Sequence, residues 1–221
     1  TQKSMKNYSF AFLILGFLSS QTVFAQEQEE VPNDYKQASK TFSYGLRTGV
    51  STSVLLIEPD DSFGKRQIKF GFVGGAFVRY QMSEHFSLQL DAVYAQRGGK
   101  YDVNGQIKLD FIDPEFKLIF DTHTQMGKSL NIKWDLFAGF EPSILIAAKF
   151  NDTDIQDRLN KVSFNVLVGS SLYLGRFVLS SNIKLGLNDL RNELAFDNTK
   201  ASLKTVTSQT TLAYRFGGTK K

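Results

Sequence analysis

The chain contains no cysteine, which excludes disulfide staples and thiolate metal sites alike. Its only histidines are His85 and His123, so imidazole chemistry has little material to work with. Proline occurs four times and tryptophan once. No block of basic residues accompanies the pI of about 9.1, which excludes the electrostatic footprint of a nucleic-acid binder. Long apolar runs are missing too, apart from residues 10–18, and that run is too short to cross a bilayer as a helix.

That single run has a specific setting. Met5-Lys6-Asn7 forms a short basic start, and Val23-Phe24-Ala25 places small residues where a signal peptidase reads. The pattern predicts a secretory signal over residues 1–25, cleaved between Ala25 and Gln26. Its removal takes away Lys3 and Lys6 and no acid, leaving 24 basic against 22 acidic residues. Residues 26–40, QEQEEVPNDYKQASK, are polar and read as a flexible periplasmic lead-in. Residues 41–217 then form one β-barrel, followed by a polar tail at 218–221.

What the chain has in quantity is aromatic residues, 20 Phe and 8 Tyr, set in alternation. In the stretch 68–97, Phe86, Leu88, Leu90, Ala92 and Tyr94 fall on one side of an extended chain and Ser87, Gln89, Asp91 and Arg97 on the other. Side chains alternate with period 2 in a strand, and a helix would mix the two sets. Phe70, Phe72, Ala76, Val78 and Tyr80 repeat the pattern against Lys69, Gly71, Gly75 and Arg79, with Val73 and Phe77 on the polar side. Each half runs to about a dozen residues, against about 5–6 in soluble strands and about 9–11 for a tilted membrane strand.

The same alternation recurs in Phe42, Tyr44, Leu46 and Val50 of a strand over 41–51 and in Ile132, Trp134, Leu136, Ala138 and Phe140. It returns in Val162, Phe164, Val166, Val168 and Leu172, in Phe177, Leu179, Ile183, Leu185 and Leu187, and in Val206, Leu212, Tyr214 and Phe216. A strand over 107–120 changes parity midway. Leu109 and Phe111 share one face, while Ile112, Pro114, Phe116, Leu118 and Phe120 share the other. A bulge near 111–113, beside Pro114, would restore a single apolar face and point Asp110, Asp113, Glu115 and Lys117 inward. Gly98-Gly99-Lys100 is expected to open a loop reaching Gln106. Eight strands result, with longer connections after the first, third, fifth and seventh, as in outer-membrane barrels.

Two placements compete: apolar rows in lipid, or apolar rows inside a soluble lipocalin-like barrel holding an apolar ligand. The polar face is rich in Gly and Ser, as a narrow lumen requires, while the other is bulky. The predicted fold is therefore all-β, an eight-stranded antiparallel up-and-down transmembrane barrel. The inward set is Arg47, Lys69, Arg79, Asp91, Arg97, Asp110, Asp113, Glu115, Lys117, Lys133, Asp135, Glu141, Lys184 and Arg215. Unpaired ions in such an interior would cost several kcal/mol each, so cross-strand pairing and a closed lumen are expected.

This succession resembles the PorT-like outer-membrane β-barrel family of Bacteroidota. The segments that carry the resemblance are GLRTGVS from Gly45, GFVGGAFVRYQMSEHFSLQLDAVYAQRGGKY from Gly71, KLDFIDPEFKL from Lys108, GFEPSIL from Gly139, KLGLNDL from Lys184 and LAYRFG from Leu212. The segment Asp113-Pro114-Glu115 is more acidic than the family pattern. The resemblance implies an outer-membrane barrel in a functionally mixed family that includes secretion accessories. Phe216 resembles the terminal aromatic read by the barrel insertion machinery, although Gly217 to Lys221 follow it.

The search for chemistry yields little. His85 and His123 fall in predicted turns. Asp152, Asp154 and Asp157 supply oxygen ligands but lack the glycine and terminal glutamate of a calcium hand. Gly71-Phe72-Val73-Gly74-Gly75 lies within a strand, not between strand and helix, so no phosphate cradle is expected. Trp134 reads as an interface anchor. No enzyme activity, cofactor or metal is expected. The expected partners are outer-membrane lipid, the insertion machinery and a protein met through loops 147–161 and 189–203, with no nucleic acid.

Overall fold

A computed structural model describes residues 41–58, 66–101, 105–126, 132–191 and 202–217. The signal segment with its cleavage point, the lead-in and the 218–221 tail lie outside these described residues.

Eight long strands follow one another: β1 (Thr41–Glu58), β2 (Lys69–Gln81), β3 (Phe86–Tyr101), β4 (Gly105–Met126), β5 (Ile132–Phe150), β6 (Val162–Leu174), β7 (Phe177–Gly186) and β8 (Ser202–Gly217). Each pairs antiparallel with its chain neighbours. The ladder from Ser43↔Gly217 to Glu58↔Ser202 joins β8 back to β1. The sheet is therefore closed, with no free edge to satisfy. No helix among the described residues is long and apolar enough to cross a membrane.

Burial follows parity. Phe42, Leu46, Phe70, Leu90, Phe116, Leu136, Phe140, Phe164 and Leu212 lie on the outer wall, with Phe70 74 % exposed. On the inner wall Asp91, Glu115, Asp135 and Glu141 are at most 1 % exposed. Inward glycines allow the tight coiling that an eight-stranded cylinder demands. At Gly139 a Cβ would lie 2.1 Å from the Phe116 carbonyl oxygen across the ladder. Gly139→Ala is accordingly expected to destabilise the barrel by about 1–3 kcal/mol through backbone displacement, measurable as a lower melting temperature of the heat-modifiable band.

β4 departs from the sequence expectation in an informative way. Its alternation is unbroken from Leu109 to Phe120, with Leu109, Phe111, Asp113, Glu115, Lys117 and Ile119 all buried inside. Its ladder with β3 is continuous through this stretch. There is no bulge at 111–113. The register slips instead on the partner strand, where Asp110 pairs with Ala147 and Phe111 with Leu145, so that Ile146 is the extra residue. The apparent parity change marks a change of surroundings. Below it apolar side chains face outward and polar ones inward; above it Leu109 and Phe111 face inward while Lys108 and Asp110 face outward. Asp110 is thus on the outer wall and not in the interior, a correction to the inward set. A spanning strand needs about 9–11 residues, whereas β4 has 22 and β5 has 19. The surplus stands beyond the lipid, where ordinary soluble patterning applies.

Two more boundaries move for the same reason. β1 runs on to Glu58, and Gly98-Gly99 stay within β3, which ends at Tyr101. Gly98 has φ +144°, open to glycine. Here β2 leaves β3 above Val73↔Ala95. Side chains of the inner wall replace the lost ladder bonds: Ser51 Oγ donates to the Gln96 carbonyl (2.6 Å), Lys69 Nζ to the Arg97 carbonyl (2.8 Å) and Ser53 Oγ to the Gly98 carbonyl (2.9 Å).

Candidate functional site

The interior is filled in three layers, and each follows from which residue types occupy inward positions at that height. The middle layer is ionic. Glu115 Oε2 meets Arg47 Nη1 at 2.8 Å and Lys117 Nζ at 2.5 Å, while Oε1 meets Lys184 Nζ at 2.6 Å. Asp91 Oδ2 shares Lys117 (2.6 Å) and Arg47 (3.4 Å). Lys184 also reaches Glu141, whose Oε1 takes Arg97 Nη2 at 2.6 Å, and Arg97 closes the chain on Asp113. Ser143 and Asn165 donate to the same Glu141 oxygen at 2.8 and 2.9 Å. Four cations (Arg47, Arg97, Lys117, Lys184) face four carboxylates (Asp91, Asp113, Glu115, Glu141). The layer is neutral, and its charges are compensated where no bulk water reaches them.

Toward the short turns lies the second layer. Arg79 contacts Asp121 (2.6 Å), Asp135 (3.1 Å) and the Tyr173 hydroxyl, and Tyr173 donates to Asp135 Oδ2 at 2.6 Å. The guanidinium groups of Arg79 and Arg215 each lie 5.4 Å from the Tyr173 ring centroid. A cavity of about 30 Å³ touches Arg47, Arg79, Lys117 and Arg215. That is room for water, not for a pore.

Toward the loops the third layer is apolar: Leu55, Leu109, Phe111, Leu145, Ala148, Leu159, Leu190 and Leu203 pack together. Arg97 stacks on Phe111 at 4.9 Å, joining this plug to the ions below. Leu159 and Leu190 come from the connections after β5 and β7, so those segments roof the lumen. Asp189 holds the roof. Its Oδ1 accepts from the Arg191 and Leu203 amides at 2.9 and 2.8 Å, and Asn160 Nδ2 bonds the Asp189 and Arg191 carbonyls. Asp189→Ala is expected to leave the barrel assembled while amide exchange at Arg191 and Leu203 rises by about tenfold or more, the loss of about 1–3 kcal/mol when buried donors lose their acceptor.

Of the residues singled out in the sequence, Arg47, Arg79, Asp91, Arg97, Asp113, Glu115, Lys117, Asp135, Glu141 and Lys184 come together in the two ionic layers. Lys69 is turned to the Arg97 carbonyl, and Arg215 is half-buried over Tyr173. Lys133 lies on an inward row but at its exposed end, so it joins no layer; Asp110 lies outside. His85 is exposed beside Phe120, at 6.1 Å between rings. The side chain of His123 lies outside the described residues. Asp152, Asp154 and Asp157 form no metal-competent group among the described residues, and Asp154 accepts from the Gln156 amide. Tyr173, Asp121 and the apolar plug were missed. Period 2 carried from Ser171 to Tyr173, and from Lys117 to Asp121, points to the first two.

The outer wall completes the site. Around the short-turn end Phe42 stacks near Tyr80 (4.6 Å), Tyr44 near Phe216 (5.7 Å), Phe177 near Tyr214 (5.3 Å) and Phe86 near Phe120 (5.5 Å). Half-buried Trp134 belongs to the same height, where its carbonyl accepts from Thr122. An aromatic girdle beneath an apolar band is the surface of a membrane barrel. A soluble barrel around an apolar ligand would require these rows inside.

Comparison with known families agrees in kind. The outer membrane protein beta-barrel domain family matches residues 24–192. Among solved structures, the chain is similar to Neisserial surface protein A at 11% identity and TM-score 0.49, covering 78% of this chain and 97% of that one. OprG from Pseudomonas aeruginosa is similar at 12% identity and TM-score 0.44, covering 82% and 99%. Ail of Yersinia pestis is similar at 15% identity and TM-score 0.40, covering 80% and 100%. No curated protein matches by sequence. With most of the chain inside the family match, and a closed cylinder clad in apolar side chains, the protein belongs to the outer membrane protein beta-barrel domain family and resides in the outer membrane.

Proposed function

We propose that this outer-membrane barrel acts as a structural or interaction protein, non-enzymatic and non-conducting, that meets a protein partner through its loop end. A secretion-accessory role, as the PorT-like resemblance implies, falls within this reading. One observation carries it: the lumen is occupied from end to end by ion pairs, Tyr173 and an apolar plug under a roof, so the loop surface is what remains to act on the surroundings. That surface includes Asp152, Asp154, Asp157 and Arg158, all exposed beside a short 3₁₀ turn.

Replacing Asp152, Asp154, Asp157 and Arg158 by serine spares Ile155, Leu159 and Leu190, which pack in the plug, unlike deletion of the longer windows 147–161 and 189–203. The expected result is normal heat-modifiable assembly, no ionic conductance in planar bilayers, and loss of the cross-linked partner captured by the unaltered protein in cells. Retention of every cross-link, or step conductance from the unaltered barrel, would contradict the proposal.

A further inference from the structure

We infer a binding site for the phosphorylated headgroup of an outer-leaflet lipid on the outer wall, where β4 and β5 leave the apolar band. Lys108 and Lys149 stand directly opposite each other across the β4–β5 ladder. Both are exposed, and neither takes part in an ion pair among the described residues. Like charges directly opposed in an antiparallel pair destabilise it, and an anion seated between or above the two ammonium groups would relieve that repulsion. Asp154, opposite Lys149 across the Lys149–Phe150 and Thr153–Asp154 ladder, directs one carboxylate oxygen to the Gln156 amide.

The surface there is concave. A groove of about 450 Å³ is lined by Lys108 and Lys149 together with Asp110, Asp152, Gln106 and Phe70. The slipped residue Ile146 and the departure of β2 from β3 shape its two sides. Asp110 and Asp152 temper the charge, so the groove suits one compact phosphate better than an extended polyanion. Its lower edge decides the occupant. Phe70, the most exposed aromatic of the wall, lies in the lining, and Ile112 and Ile144 continue the apolar surface below. A molecule with a phosphate at the lysines would therefore place acyl chains on the lipid-facing band. The long connections and protruding strands mark this as the extracellular end. A lipid phosphate satisfies both halves of the site; free phosphate satisfies one.

The inference rests on the outer-membrane placement and is independent of the protein partner proposed above. The test uses the full barrel in uncharged maltoside micelles, titrated with diphosphoryl lipid A and with its dephosphorylated form. The unaltered protein is expected to bind the phosphorylated lipid about tenfold or more tightly than the dephosphorylated one, and Lys108→Glu/Lys149→Glu to lose that preference, the scale of two surface lysines near anionic lipid. Both lysines are exposed, so the double variant should keep heat-modifiable mobility, and Arg176→Glu at the opposite end is the charge-reversal control. Equal affinity for the two lipids, an unchanged preference in the double variant, or an equal loss in the Arg176 control would overturn the inference. So would competition by millimolar inorganic phosphate alone.

Discussion

Leu90→Arg is expected to destabilise the inserted barrel by about 2–4 kcal/mol, the cost of an arginine at the bilayer midplane on the lipid face of a barrel. Leu90 lies at the centre of the outward row Phe86 to Tyr94 and pairs with outward Val78 and Phe116 on either side. Neither of its ladder partners carries a carboxylate to neutralise a guanidinium. The loss is large enough to be read directly as failed assembly: the variant stays in the unfolded, heat-insensitive gel position or is degraded before insertion. Asp110→Arg provides the contrast. It lies on the same wall but above the band, and the cost near or beyond the interface falls to about 0–1 kcal/mol. Equal assembly of Leu90→Arg and Asp110→Arg would mean that the band does not meet hydrocarbon.

The second large effect belongs to the interior. Glu115 binds three cations at once. Glu115→Gln keeps its shape and removes its charge, leaving the four cations Arg47, Arg97, Lys117 and Lys184 against three carboxylates where the layer had four. Breaking a buried ion pair on one side costs about 3–5 kcal/mol. Unfolding in denaturant from micelles or vesicles should show a correspondingly lower midpoint. Removing the facing charge as well, in Glu115→Gln/Lys184→Met, should recover part of the loss, with a coupling of at least about 1 kcal/mol between the two sites. Strictly additive losses would show that the network is incidental to stability.

Much of this was legible in the sequence, because a barrel wall has only two environments and a period of 2 reports both. The outward rows of β2, β3, β5, β6 and β7 and the inward ions from Arg47 to Lys184 follow from counting alone. Counting failed where a third environment begins. At Phe111 and Ile112 the apolar side moves from outside to inside because the strand leaves the lipid, yet the string of letters reads the same as a bulge would. Asp110 was misplaced for that reason. The apolar plug was hidden by distance: Leu55, Leu159, Leu190 and Leu203 come from four separate segments and meet only because the cylinder closes. Which cation takes which carboxylate was equally out of reach, since Lys184 and Glu115 lie on β7 and β4, across the lumen from each other.

The central claim is the direction in which alternate side chains point, and tryptophan fluorescence in brominated-lipid vesicles tests it most directly. In a Trp134→Phe background, Phe140→Trp places the one fluorophore on the outer wall, where Phe140 is 50% exposed, and Phe137→Trp places it inside, where Phe137 is 6% exposed. Phe140→Trp should be strongly quenched by bromine on the acyl chains, and Phe137→Trp should not. Quenching of the inner position alone, or of neither, would contradict the account.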